Sequence, residues 1–108
     1  MRDPQRYLDD LRTAANKIAR YTRDQSEQEF IANDIAKDAV LRNLEIIGEA
    51  AKKLPVDVRQ KFPAIEWRRI AGFRDIIAHA YFNVDDAILA DIVFNKIPLL
   101  RKALGEAE

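Results

Sequence analysis

The chain carries a single histidine, and it falls in a segment dense with reactive side chains: Arg74-Asp75-Ile76-Ile77-Ala78-His79-Ala80-Tyr81. Wound as a helix at about 100° per residue, this stretch separates into two faces. Phe73, Ile76, Ile77 and Ala80 fall in one arc, which predicts a core face. Arg74, Asp75, His79 and Tyr81 share the other, with Tyr81 returning to within about 20° of Arg74. Small Ala78 lies between them, so the polar arc reads as a shallow depression rimmed by a cation, a carboxylate, an imidazole and a phenol.

Arginine offers phosphate a planar fork and stabilises charge that builds on a phosphoryl group. Histidine moves protons near neutral pH. Asp75, four residues before His79, is placed to accept one imidazole proton and fix the ring. Such a set meets the needs of metal-free RNA cleavage, in which a 2′-hydroxyl attacks the neighbouring phosphate. That reaction requires a base for the hydroxyl and an acid for the leaving oxygen. One chain supplies one imidazole, whereas a two-fold dimer supplies two, with two arginines between them. On spacing alone, an ordinary surface or interface histidine and a helix-end packing tyrosine fit the same residues.

Helices must position this set. The 108 residues support one domain, 1–108, and 48% of them are apolar, a globular composition. Asp3 and Pro4 start a first helix that carries Tyr7, Leu11, Ala14, Ala15 and Ile18 inward and fades near Thr22–Gln25. Ser26 and Glu29 form a capping-box pattern and predict a long second helix to about Lys53. Its inner stripe is Val40, Leu44, Ile47, Ala51 and Leu54, and Ile35, Ala39, Ile46 and Ala50 widen it. Gly48 lies inside that helix at about 1 kcal/mol relative to alanine, which predicts close approach of another helix. Short helical pieces follow at Val56–Phe62 and Ile65–Gly72, then the Phe73–Tyr81 helix and a turn at Asn83-Val84-Asp85. A last helix runs from Asp86 to about Leu104, burying Ile88, Ile92, Val93, Ile97 and Leu100, and Gly105 ends it. The expected fold is all-α, a bundle of four or five helices that completes its core by dimerising.

Several function classes drop out. Without cysteine there are no disulfides, thiolate nucleophiles or cysteine-ligated zinc and iron–sulfur sites, and one histidine argues against an imidazole-built metal centre. No apolar run approaches the roughly 20 residues of a membrane helix, and the N-terminus has no signal core. A cytoplasmic domain without metal or cofactor is expected. The net charge is zero but segregated. Residues 52–74 hold Lys52, Lys53, Arg59, Lys61, Arg68, Arg69 and Arg74 against Asp57 and Glu66, while residues 75–95 hold Asp75, Asp85, Asp86 and Asp91 and no lysine or arginine. Phe62, Trp67 and Phe73 interleave the basic stretch, a pattern suited to a phosphate backbone and unstacked bases, with Lys61, Arg68 and Arg69 as the RNA-binding candidates. Individually, the three aromatics read better as core anchors.

The octet Arg74-Asp75-x-x-x-His79-x-Tyr81 resembles the R-x-x-x-x-H-x-Y signature of the HEPN superfamily, in its HepT-like toxin branch. Leu41-Arg42-Asn43-Leu44-Glu45-Ile46-Ile47-Gly48-Glu49-Ala50 resembles that family's long-helix block. Phe62-Pro63-x-Ile65-x-Trp67-Arg68-x-Ile70-x-Gly72-x-Arg74 resembles the approach to the motif, and His79-x-Tyr81-Phe82-x-Val84-Asp85 its exit. The likeness extends from Asp3 to Leu100; Asp75 departs from it, since asparagine is common there in relatives. The resemblance implies a HEPN-like helical homodimer whose two motifs line one cleft. It implies a ribonuclease toxin of a type VII toxin–antitoxin module, cleaving tRNA or mRNA without metal, with Arg74 and His79 catalytic and Asp75 orienting the histidine. It further implies an MntA-like minimal nucleotidyltransferase partner that transfers AMP to Tyr81. The chain lacks the Gly-Ser motif and paired aspartates of that partner. A rival expectation is a non-catalytic module that pairs with a nucleotidyltransferase or binds nucleotide.

Overall fold

A computed structural model of the chain describes residues 3–80 and 85–105, with residues 78–80 described by their backbone alone. Among the described residues all regular structure is helical. Helix α1 spans Pro4–Thr22; Asp3 caps it by accepting the Gln5 N–H at 2.9 Å, and proline occupies the first turn. Its buried stripe, Leu11, Ala14, Ala15 and Ile18, is the one its spacing predicts, and it packs chiefly on α3.

The predicted continuous helix from Ser26 to Lys53 is in fact two. Ser26 and Glu29 make the reciprocal cap, at 2.8 and 3.1 Å, but the helix they start, α2, stops after Glu27–Ile31. Phe30 drops fully into the core, edge-on to Phe94 at 5.9 Å. The chain then extends at Asn33, whose side-chain oxygen accepts the Ala36 N–H at 3.0 Å and starts α3, Asp34–Lys53. Because this cap sets the entry to α3, Ile35 in its first turn is 83% exposed rather than buried. The rest of the helix follows its sequence: Val40, Leu44, Ile47, Ala51 and the following Leu54 are buried.

Short helices α4, Val56–Arg59, and α5, Trp67–Ala71, cross from α3 to the site helix. The aromatics between them are anchors. Trp67 donates its indole N–H to the Arg59 carbonyl at 3.0 Å and meets Phe62 edge-on at 6.4 Å, while Phe73 is buried. Helix α6, Phe73–Ala80, buries Phe73 and Ile77 and half-buries Ile76, as its periodicity requires.

The C-terminal helix is one rod with a widened middle. Asp85 caps α7, Asp86–Asp91, by accepting the Ala87 and Ile88 N–H groups at 3.0 and 3.2 Å. A π turn, Ile92–Lys96, joins it to α8, Ile97–Ala103. Pro98 cannot donate to the Phe94 carbonyl and its ring crowds that position. The turn before it loosens accordingly, and the Ile97 N–H reaches five residues back to the Ile92 carbonyl. Gly105, at φ +81°, ends the rod with a conformation that L side chains resist. Ile92, Val93, Ile97 and Leu100 are buried as expected, but Ile88 is 47% exposed, for it faces a groove that this chain leaves open. Arg101 holds Asn16 at 2.8 Å, and Arg12 holds the Leu104 carbonyl at 3.2 Å, fastening the rod to α1. Among the described residues no helix is long and apolar enough to cross a membrane.

Candidate functional site

Arg74 stands in the first turn of α6, where that helix crosses α3. Gly48 makes the crossing possible. A Cβ at Gly48 would lie 2.8 Å from the Arg74 Cγ and 3.3 Å from its backbone nitrogen. The close approach that Gly48 predicts is thus real, and the group that approaches is the candidate catalytic arginine.

The next residue of α3 completes the contact. Arg74 donates from Nη1 to Glu49 Oε1 at 2.6 Å, and the other carboxylate oxygen, Oε2, faces Lys53 Nζ at 3.2 Å. The Glu49 carboxyl is held below the usual glutamate range. The Lys53 hydrogen bond is the main cause; burial opposes it, and the charges of Arg74, Lys53 and Lys52 add to the lowering. Glu49 is thus a carboxylate at neutral pH, one anion between two basic side chains. All three border a depression of about 270 Å³ between α1, α3 and α6, which Tyr7, Asp10, Arg42 and Glu45 also line.

The remaining predicted residues are distributed as follows. Asp75 is exposed beside Arg74 in the first turn of α6. His79 belongs to α6 by its backbone, whereas its side chain, and Tyr81 altogether, lie outside the described residues. Lys61 is exposed between α4 and α5, and Arg68 and Arg69 are exposed on α5. Arg69 sits 3.5 Å from Glu66 and lines the open groove rather than the depression at Arg74. The cations that gather around Arg74 are instead Arg42 and Lys53 of α3. In the sequence Glu49 appears only within the long-helix block, with no role attached to it. Its position directly after the glycine of the crossing was the available signal.

The open groove lies on another side of α6. It encloses about 390 Å³, with Phe73, Ile76, Ile88, Ile92 and Leu99 among its walls and Glu66, Arg69, Asp91 and Lys96 at its edge. Leu99 is 64% exposed.

Arg74 and, five residues further on, His79 thus belong to one short helix of a small helical bundle. The family model described as ribonuclease HepT-like matches residues 11–107, and the chain belongs to that family. A Methanocaldococcus jannaschii protein under the provisional name RNase MJ1380 is 40% identical over 101 residues, covering 94% of this chain and 93% of its own. A Thermococcus cleftensis protein named "Probable ribonuclease HepT" is 41% identical over 95 residues, 88% of this chain and 86% of its own. A Caldanaerobacter subterraneus protein under the provisional name RNase TTE0752 is 34% identical over 106 residues, 98% and 95% of the two chains. No solved structure matches the chain at a significant level.

Proposed function

We propose that this chain is a metal-independent endoribonuclease and the toxin of a two-component module. Membership of the HepT-like ribonuclease family across residues 11–107 carries the reading. The exposed guanidinium of Arg74, on the helix that includes His79, gives it a chemical basis. In this mechanism the 2′-hydroxyl of an RNA strand attacks the adjoining phosphate. One His79 imidazole takes the hydroxyl proton, and a second protonates the departing 5′-oxygen. Arg74 stabilises the charge on the phosphorane oxygens, and Asp75 orients the ring.

Two imidazoles require two chains, so the working unit is a homodimer. The groove beside α6 supports this. Its apolar walls are uncovered, and its edge carries both signs of charge, as a self-complementary two-fold contact needs. A copy seated there lies about one helix width, roughly 10 Å, from the arginine face of α6. Control comes from an MntA-like nucleotidyltransferase that transfers AMP from ATP to the Tyr81 hydroxyl, releasing pyrophosphate. The transfer adds bulk and negative charge where the RNA phosphate would lie.

The test is cleavage of RNA by the purified protein. Arg74→Ala and His79→Ala are each expected to lower the rate by about a hundredfold or more, and EDTA to leave it unchanged. Intact wild-type protein that binds RNA without cutting it would instead establish the non-catalytic module.

A further inference from the structure

We infer that Glu49 is the positioning residue of Arg74, fixing the guanidinium through one donor so that the others stay available for a phosphate. The inference rests on the ribonuclease reading for its consequence, though not for its geometry. An arginine on a helix surface samples many rotamers, and a half-exposed side chain has little packing to choose among them. Arg74 is 47% exposed, yet its Nη1 is drawn to 2.6 Å from Glu49. Guanidinium has five N–H donors in a fixed fork. Binding one edge to a carboxylate orients the plane and leaves the other edge able to grip two phosphate oxygens.

The carboxylate is itself held. Lys53, one helical turn along α3, takes the oxygen that Arg74 does not. Arg74, Glu49 and Lys53 thus form a chain of two cations around one anion. Lys53 offsets the Glu49 charge, so the carboxylate that directs Arg74 does not also cancel it. Gly48 removes the one side-chain atom that would block the path, since a Cβ there would meet the arginine stem at 2.8 Å. Half-exposed ion pairs contribute little to stability. The value of this arrangement lies in direction rather than in holding the fold together.

Two substitutions and one spectroscopic readout test it. Glu49→Ala is expected to lower kcat by about tenfold to a hundredfold, with KM changed by less than about threefold, because a misdirected fork fails in the transition state more than in binding. Glu49→Gln, whose amide oxygen can accept the same hydrogen bond, is expected to recover most of that loss. In ¹⁵N spectra the Arg74 guanidinium is expected to be slowly rotating in wild type and in Glu49→Gln, and freely averaged in Glu49→Ala. An unchanged or faster Glu49→Ala enzyme, or a glutamine variant no better than alanine, overturns the inference. If the wild type cuts no RNA, the ribonuclease reading fails by itself. The guanidinium signal still decides whether Glu49 holds Arg74, and equal averaging in wild type and Glu49→Ala overturns the positioning too.

Discussion

Helix α6 divides two surfaces built on opposite principles. Toward α3 it sets Arg74 into a depression whose charged walls are matched within the chain: Arg74 and Lys53 share Glu49, and Gly48 clears the path. Toward the C-terminal rod it sets Ile76 into an apolar groove bordered by Ile88 and Leu99, side chains that this chain leaves about half exposed or more. The first surface is finished by one copy of the sequence and the second is not. In the proposed mechanism the fold prepares its cation alone, and a second copy completes the reaction site. The unfinished side is where we place the second copy.

The largest effect should come from spoiling the groove. Ile88→Glu with Leu99→Glu puts two carboxylates onto the proposed contact, and since both side chains are exposed, the fold itself should tolerate them. The expected outcome is a monomer by light scattering, an unchanged helical circular-dichroism spectrum and loss of RNA cleavage. A dimer that persists with full activity would put the contact elsewhere.

A smaller effect should come from the finished side. Gly48→Ala gains about 1 kcal/mol of helix propensity. It also forces its Cβ onto the stem of Arg74 and against backbone, and such overpacking costs about 1–3 kcal/mol. The net expectation is a melting temperature lowered by a few degrees and cleavage lowered by about tenfold, because the arginine turns away from Glu49. A more stable, fully active variant would show that α6 has room at the crossing.

The two surfaces also differ in how far the sequence disclosed them. Periodicity gave the inner faces of α1, α3 and α6, because burial on one side of a helix leaves a 3.6-residue trace whatever lies opposite. It correctly set Arg74 and Asp75 outward and Phe73 and Ile77 inward. What it could not supply was which helix crosses which, and at what height. Gly48 announced a close approach without naming the partner, and Glu49 stayed invisible because its partner is 25 residues away in sequence. Local caps misled in the other direction. The Ser26–Glu29 box was read correctly, yet the helix it opens ends five residues later, since Asn33 offers a second cap that was overlooked. Ile35 and Ile88 were assigned to the core on spacing alone, whereas Ile35 falls in the exposed first turn of α3 and Ile88 on the wall of the open groove. The last helix was predicted unbroken through Pro98, and the π turn before it follows from the donor that proline lacks.

The proposed mechanism needs two copies to bring their α6 helices together. The chain has no cysteine, so Asp75→Cys supplies one clean attachment point for a nitroxide beside Arg74. Double electron–electron resonance between the two labels of a dimer then reads the separation of the two sites. One protomer measures 40 × 31 × 21 Å. Pooled sites predict a single distance population shorter than the 31 Å middle dimension of one protomer. A population beyond its 40 Å length, or no dipolar coupling at all, would set the motifs on separate outer surfaces and contradict the shared cleft.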